Sequence, residues 1–205
     1  SYTDEEMEAI QKAYEFACKC HKGQYRKNNE EFITHPLNVA LICASLNVDA
    51  TTIVSALVHE TIDNGPSNLE ELESLVGSDV RNIVASLMKV NKLKLTDESE
   101  STSLYLRKVL VALSEDVRVL IIKLAGRVHN MRTIDPFSKE KQRLKALETQ
   151  NVLIPIAHRL GIAEIKNEQT NQNVQNQPNA DGYDILGGSW EVGAVCYDGK
   201  VVDDG

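Results

Sequence analysis

The chain has 205 residues, of which 42% are hydrophobic and 25% are charged, and this balance is typical of one globular core with at most a small appendage. A formal net charge of −8 disfavours a nucleic-acid groove, which depends on neutralising many phosphates. No apolar run reaches transmembrane length and no basic-plus-apolar leader opens the sequence. Together with the lack of CxxC spacing among the cysteines, this predicts a cytoplasmic protein without a membrane span.

The N-terminal half predicts helices. Aromatic residues make up only 5% of the chain, which favours packed helices over a large sandwich and predicts an all-α fold. Thr3 and Glu6 have the spacing of a capping box, so a first helix should run to about Cys20. Pro36 suits the first turn of a second helix. The nearly apolar segment 51–62 predicts a central buried helix.

Further along, Gly77 should close one short amphipathic helix before another begins. Charged and turn-rich residues after this second helix predict an exposed loop, and later helices are expected at 101–113, 115–130 and 138–160, the last kinked at Pro155.

Composition changes near the C-terminus. An Asn/Gln-rich stretch follows Glu168, and Asp198-Gly199 then separates two β-prone runs, which is a hairpin signal. We therefore predict a compact helical domain over residues 1–168 and a linker with a small extended or β-hairpin tail over residues 169–205.

The sequence HETIDN at residues 59–64 is the strongest candidate for chemistry. On a helix, His59 and Asp63 share a face, as do Glu60 and Asn64, so two ligand-type pairs project from one turn. His35 opens the second helix, and the segment LAGRVHNMRT contributes Arg127, His129, Asn130 and Arg132 at the end of a third. We expect these helix ends to converge, although each histidine taken singly is more often a packing residue. His21 and the pair Arg26-Lys27 are expected at a loop surface.

Several blocks resemble one family. HKGQYRKNNEEFITHPLNVA, ALVHETIDN, IIKLAGRVHNMRT and PIAHRLGIAEIKNE occur in the order found in the HD-type hydrolase domain of the Rel/Spo alarmone synthetase/hydrolase family. The resemblance runs from about Met7 to Glu168. It implies an HD-type helical bundle and a role in guanosine tetra- and pentaphosphate metabolism.

The resemblance also implies roles for single residues. The metal positions, which hold manganese in the family, fall on His35, His59, Glu60 and Gly126. The positions that assist the attacking water fall on Asp63 and Asn64. Nucleotide contacts fall on Arg26, Lys27 and Asn130.

Four of these positions depart from the family pattern. Glu60 replaces Asp, Asp63 replaces Glu, Asn64 replaces Asp and Gly126 replaces Asp. Gly126 offers no side-chain ligand, and the amide of Asn64 cannot accept a proton as a general base near neutral pH. We therefore expect manganese binding to be weak or lost.

Three functions stay open. The first is a degenerate hydrolase-like domain that binds a guanine nucleotide and regulates an adjoining synthetase domain or a protein partner. The second is an active manganese-dependent 3′-pyrophosphohydrolase with a rebuilt site. The third is a helical protein-interaction module.

Overall fold

The computed structural model describes residues 2–92 and 116–149, and every regular element within these ranges is an α-helix. The predicted all-α fold is confirmed. We number the helices in chain order: α1 (Asp4–Cys20), α2 (Thr34–Ser45), α3 (Ala50–Val58), α4 (Leu69–Lys92), α5 (Val117–Arg132) and α6 (Lys139–Glu148). The chain divides into two compact units, Ser1–His129 and Asn130–Gly205.

The start of α1 follows from its first residues. The Thr3 hydroxyl accepts a hydrogen bond from the backbone N–H of Glu6, and the Glu6 carboxylate accepts one from the N–H of Thr3. This reciprocal pair satisfies donors that a helix start leaves free. The predicted capping box and the predicted end at Cys20 are both confirmed.

Helix α3 is the centre of the first unit. It packs against α1, α2 and α4, and every residue in it except Thr51 is buried. Its nearly all-apolar sequence explains this, because a helix that is hydrophobic all round has no face for solvent. The prediction that it continues to Ile62 is wrong, since α3 ends at Val58 and residues 59–66 form turns and bends.

Helix α4 has the break that the sequence predicts. Gly77 lies within it at φ 88°, a left-handed value that favours glycine, and separates two helical segments. The buried residues Leu72, Ile83, Val84 and Leu87 come from both segments. Both segments therefore contribute to the core of the first unit.

A charged cluster ties the start of α5 to two other helices. The Arg118 guanidinium lies 2.7 Å from an Asp116 carboxylate oxygen, 2.9 Å from one of Asp79 and 3.6 Å from one of Asp49. Asp49 is also the N-cap of α3, where it accepts from the Thr52 N–H. One cation thus joins the beginnings of α3 and α5 to α4.

The second unit has its own small apolar cluster. Met131, Ile134 and Ala146 are buried together, with Phe137 packed against them. The amide of Gln142 donates to the carbonyl of Phe137 at 2.9 Å and holds the turn before α6.

Several predictions fall outside the described residues. These are the exposed loop, the helix at 101–113, the end of the 138–160 helix with its kink at Pro155, and the tail at 169–205. The boundary at residue 168 therefore stays a prediction. Among the described helices, none is both long and apolar enough to cross a membrane.

Candidate metal centre

Three potential ligands come together at one end of α3. His35 lies in the first turn of α2, His59 is the C-cap of α3, and Glu60 follows it directly. One donor atom from each residue lies within 4.8 Å of the others, and both imidazoles are buried. The structure therefore assembles the residues that the sequence predicts as metal ligands.

The orientation of His59 is set by the backbone of its own helix. Its Nδ1 lies 2.6 Å from the carbonyl oxygen of Ala56, so this nitrogen carries the proton and donates. Its Nε2 lies 3.4 Å from Oε1 of Glu60. Nε2 is therefore the ring nitrogen that faces the carboxylate.

His35 approaches the same oxygen from α2. Its Nε2 lies 3.9 Å from Oε1 of Glu60. Its other nitrogen, Nδ1, lies 2.9 Å from Nδ1 of His129 on α5. Arg26 completes this group, because its Nη1 lies 3.5 Å from the same atom of His129.

Burial determines the charge of these groups. It lowers the pKa of His35 to about 2, and the neighbouring His59 adds to the effect, so the His35 ring is neutral near pH 7. Burial alone would raise the pKa of the Glu60 carboxyl, but contacts with His59 and with the Asn64 amide lower it below its ordinary value. Glu60 is therefore ionised.

These residues fit a divalent cation. Donor atoms that share one ion at bond lengths of about 2.1 Å lie roughly 3–4 Å apart. The separations of 3.4 and 3.9 Å between the imidazole nitrogens and Glu60 fall in that range. A cation among a carboxylate and two imidazole lone pairs would also neutralise a buried negative charge.

The two positions predicted to assist water differ from the ligands in their surroundings. Asp63 and Asn64 are exposed. The amide of Asn64 donates to Oε2 of Glu60, and its carbonyl accepts from the Gln24 amide at 2.9 Å. The prediction that Glu60 and Asn64 share a helix face is wrong, because the two residues lie beyond the end of α3 and meet across a turn.

Gly126 leaves open space. It is buried in α5, and a Cβ added there meets no atom of the described residues within 4 Å beyond the helix's own neighbouring backbone. Gly126 and His129 are three residues apart on α5, which places them on one face of the helix. That is the face from which His129 contacts His35.

The predicted nucleotide-binding residues have different positions. Arg26 is half-buried beside His129, and burial lowers the pKa of its guanidinium. Lys27 is exposed in the same loop. Asn130 follows His129 in α5 and begins the second unit. Their contacts with a nucleotide stay predictions.

The prediction that His21 lies at the surface is wrong. Its ring is buried and lies 4.6 Å from the Phe32 ring, measured between centroids. Its Nδ1 is 2.9 Å from the Gln24 side-chain oxygen. Because Gln24 also donates to the Asn64 carbonyl, it links the loop bearing Arg26 to the turn bearing Glu60.

The chain matches known proteins over most of its length. The HD domain family matches residues 13–163. A GTP pyrophosphokinase of Myxococcus xanthus is 41% identical over 170 residues, which cover 82% of this chain and 22% of that protein. The bifunctional (p)ppGpp synthase/hydrolase SpoT of Escherichia coli K12 is 39% identical over 165 residues, which cover 80% of this chain and 24% of that protein.

A third relative is a guanosine-3′,5′-bis(diphosphate) 3′-pyrophosphohydrolase of Aquifex aeolicus, 42% identical over 168 residues that cover 82% of this chain and 24% of that protein. The chain thus spans about a quarter of the length of these relatives. Among solved structures, a metazoan SpoT ortholog described as hydrolysing ppGpp covers 82% of this chain and 97% of its own, with a TM-score of 0.60 and 20% identity. That likeness supports the fold. The chain therefore belongs to the HD domain family and is homologous to the SpoT/Rel enzymes of ppGpp synthesis and hydrolysis.

Proposed function

We propose that this chain is a metal- and guanine-nucleotide-binding domain of alarmone metabolism whose hydrolytic step is impaired. One observation carries the proposal. The Asn64 amide donates to Glu60, so the position where the family pattern has a carboxylate holds a donor bound to a metal ligand. The domain would act as a regulatory module toward an adjoining synthetase domain or a protein partner.

The metal-binding part of the site supports the binding of a cation. His35, His59 and Glu60 would hold the ion, for which we propose manganese because imidazole and carboxylate are donors it accepts. A bound ion of this kind supplies Lewis-acid polarisation of a phosphoryl oxygen. With Gly126 contributing no side chain, the affinity should be weaker than that of a site with a second carboxylate.

The nucleotide-binding part of the proposal depends on Arg26, Lys27 and Asn130. A guanidinium forms paired, charge-assisted hydrogen bonds to phosphate oxygens, and Arg26 lies close to the ligand cluster through His129. Guanosine tetraphosphate offers two diphosphate groups. We propose that Arg26 and Lys27 bind one of them. For Asn130 the support is the family resemblance, which implies a nucleotide contact at that position.

The residues at the proton-transfer positions, Asp63 and Asn64, support the proposed loss of hydrolytic turnover. A general base must reach the attacking water and accept its proton. An amide at position 64 cannot do so, and Asp63 is shorter than the Glu of the family pattern. Because Asp63 is also exposed, solvent competes for any water that it would orient.

The test uses the full chain with manganese and guanosine tetraphosphate. Diphosphate release and calorimetric binding are measured beside a repaired variant carrying Glu60→Asp, Asp63→Glu, Asn64→Asp and Gly126→Asp. We expect nucleotide binding in both proteins and efficient release only in the repaired one. Efficient release by the unmodified chain would overturn the impaired-site proposal, and the absence of nucleotide binding would favour the helical interaction module.

A second candidate is an active pyrophosphohydrolase with a rebuilt site. The observation in its favour is the assembled ligand set with neutral His35 and ionised Glu60. Diphosphate release by the unmodified chain that is abolished both by a chelator and by His59→Ala would establish it.

A further inference from the structure

The contact between His35 and His129 has one unusual property. Two imidazole nitrogens of the same type, Nδ1 and Nδ1, lie 2.9 Å apart, and both rings are buried. At this distance a single proton lies between them, because two protons would clash and two lone pairs would repel. One ring must donate and the other must accept.

Arg26 determines which ring accepts. Its Nη1 lies 3.5 Å from Nδ1 of His129, and a guanidinium has donors only. A cation this close favours a lone pair over an N–H at Nδ1 of His129, which assigns that nitrogen as the acceptor of the hydrogen bond from His35. His35 must then carry its proton on Nδ1.

The consequence appears at the other nitrogen of His35. We propose that His129 is a positioning residue that fixes the tautomer of His35, so that the Nε2 lone pair faces Glu60 and is available to a metal. His35 Nε2 lies 3.9 Å from Oε1 of Glu60, on the side of the ring away from His129. This inference rests on the metal site of the proposed function, but the tautomer itself exists without an ion.

The same geometry excludes His129 from the ligand set. Its Nδ1 lone pair faces His35, and in the neutral ring its Nε2 bears the proton. His129 therefore does for His35 what the Ala56 carbonyl does for His59. Each metal-facing imidazole has an outer acceptor that decides which nitrogen is protonated.

The first test reads the tautomer directly in the full chain. Long-range ¹⁵N–¹H correlation spectra of the metal-free, uniformly ¹⁵N-labelled protein at neutral pH distinguish the two neutral tautomers of each histidine. We expect His35 to be protonated on Nδ1 and His129 on Nε2. A His35 ring protonated on Nε2 would overturn the proposal without requiring any variant.

The second test compares two substitutions. His129→Asn keeps an acceptor oxygen close to where Nδ1 lies, whereas His129→Leu has a similar size and no acceptor. Losing an outer partner of a metal ligand weakens metal affinity by about 10–100-fold, so His129→Leu should bind Mn²⁺ that much more weakly while His129→Asn stays within a few-fold of the unmodified chain. In the spectra, His129→Leu should also shift His35 toward a mixture of tautomers.

The outcomes separate this inference from the proposed function. Equal Mn²⁺ affinity in the Leu and Asn variants, both folded by thermal unfolding, would overturn the positioning role. Correct tautomers in a chain that fails to bind Mn²⁺ would instead overturn the metal site and leave the His129 assignment standing.

Discussion

The two halves of the candidate site differ in how the protein holds them. His35 and His59 are buried on α2 and at the end of α3, and each has an outer hydrogen-bond partner. Asp63 and Asn64 lie one turn further on and are exposed. The half that is predicted to bind a metal is thus built into the core of the first unit, whereas the half that is predicted to assist water lies on a surface turn.

This difference shows why one half can change without the other. Replacing a buried imidazole leaves its partners unpaired in a low-dielectric environment and costs stability. Replacing an exposed side chain on a turn has little effect on folding. The predicted metal binding and the predicted hydrolysis can therefore be lost separately.

The largest expected effect is on turnover. Asp63→Glu combined with Asn64→Asp restores groups that can orient and deprotonate water, and general acid–base catalysis contributes about 10²–10⁴-fold to rate. We expect diphosphate release from guanosine tetraphosphate to rise by at least about 100-fold. The matched control, Glu60→Asp combined with Gly126→Asp, should raise mainly Mn²⁺ affinity. The comparison fails if this control pair alone restores turnover.

Removing a ligand should abolish metal binding. His59→Ala takes away a buried donor, so Mn²⁺ affinity measured by calorimetry should fall by more than about 100-fold, beyond the range for outer partners. Asp63→Ala serves as the control on the exposed half and should leave the affinity nearly unchanged. An equal loss in both variants would show that the two halves are not independent.

Stability of the metal-free protein should fall in acid. Burial lowers the pKa of His35 from 6.5 to about 2. As the pH falls, the imidazole of His35 is therefore protonated in the unfolded chain before it is protonated in the folded one. The stability that is present above pH 6.5 is lost as the pH falls toward 2. The lowered pKa of Glu60 acts in the same direction, beginning near its ordinary value of 4.5. Urea unfolding in the presence of chelator should show this decline.

His35→Gln isolates the histidine contribution. It should remove the decline between pH 6.5 and 4.5 and make the decline below pH 4.5, to which Glu60 also contributes, less steep. An identical pH profile in the variant would contradict the assignment.

A remote charge cluster tests whether stability and metal binding are separable. Arg118→Ala breaks contacts with Asp116, Asp79 and Asp49, of which the latter two are more than half exposed and screened by solvent. We expect a loss of about 1–2 kcal/mol in the free energy of unfolding. Mn²⁺ affinity should not change. Lys12→Ala removes an exposed ion pair within α1 and should have no measurable effect on stability.

The smallest expected effect is a gain. Gly126→Ala adds a methyl group into open space on a helix, which should raise the free energy of unfolding by about 0.5–1 kcal/mol. Gly65→Ala is the contrasting variant, because a Cβ there would lie 2.4 Å from the carbonyl oxygen of Thr61. It should destabilise the turn. Thermal unfolding of the two variants compares them directly.

The helix starts were predictable because their signals are local. The grouping of His35, His59 and Glu60 was expected from the family resemblance, and their role as metal ligands stays a prediction. The capping box at Thr3 and the break at Gly77 depend on neighbouring residues only. The end of α3 at Val58 was not predictable in the same way, since no glycine or proline marks it before Gly65. The roles of His21 and His129 were also missed in part, because each depends on a ring or nitrogen supplied by a distant segment.

The open space at Gly126 also has an evolutionary consequence. A bulky side chain at position 126 would be packed against neighbouring side chains, so a later substitution at this position would require those neighbours to move. Because a glycine with room around it can accept a side chain without such adjustments, a carboxylate is one substitution away at this position. One substitution would thus return a carboxylate to the position that the family resemblance assigns to a further metal ligand.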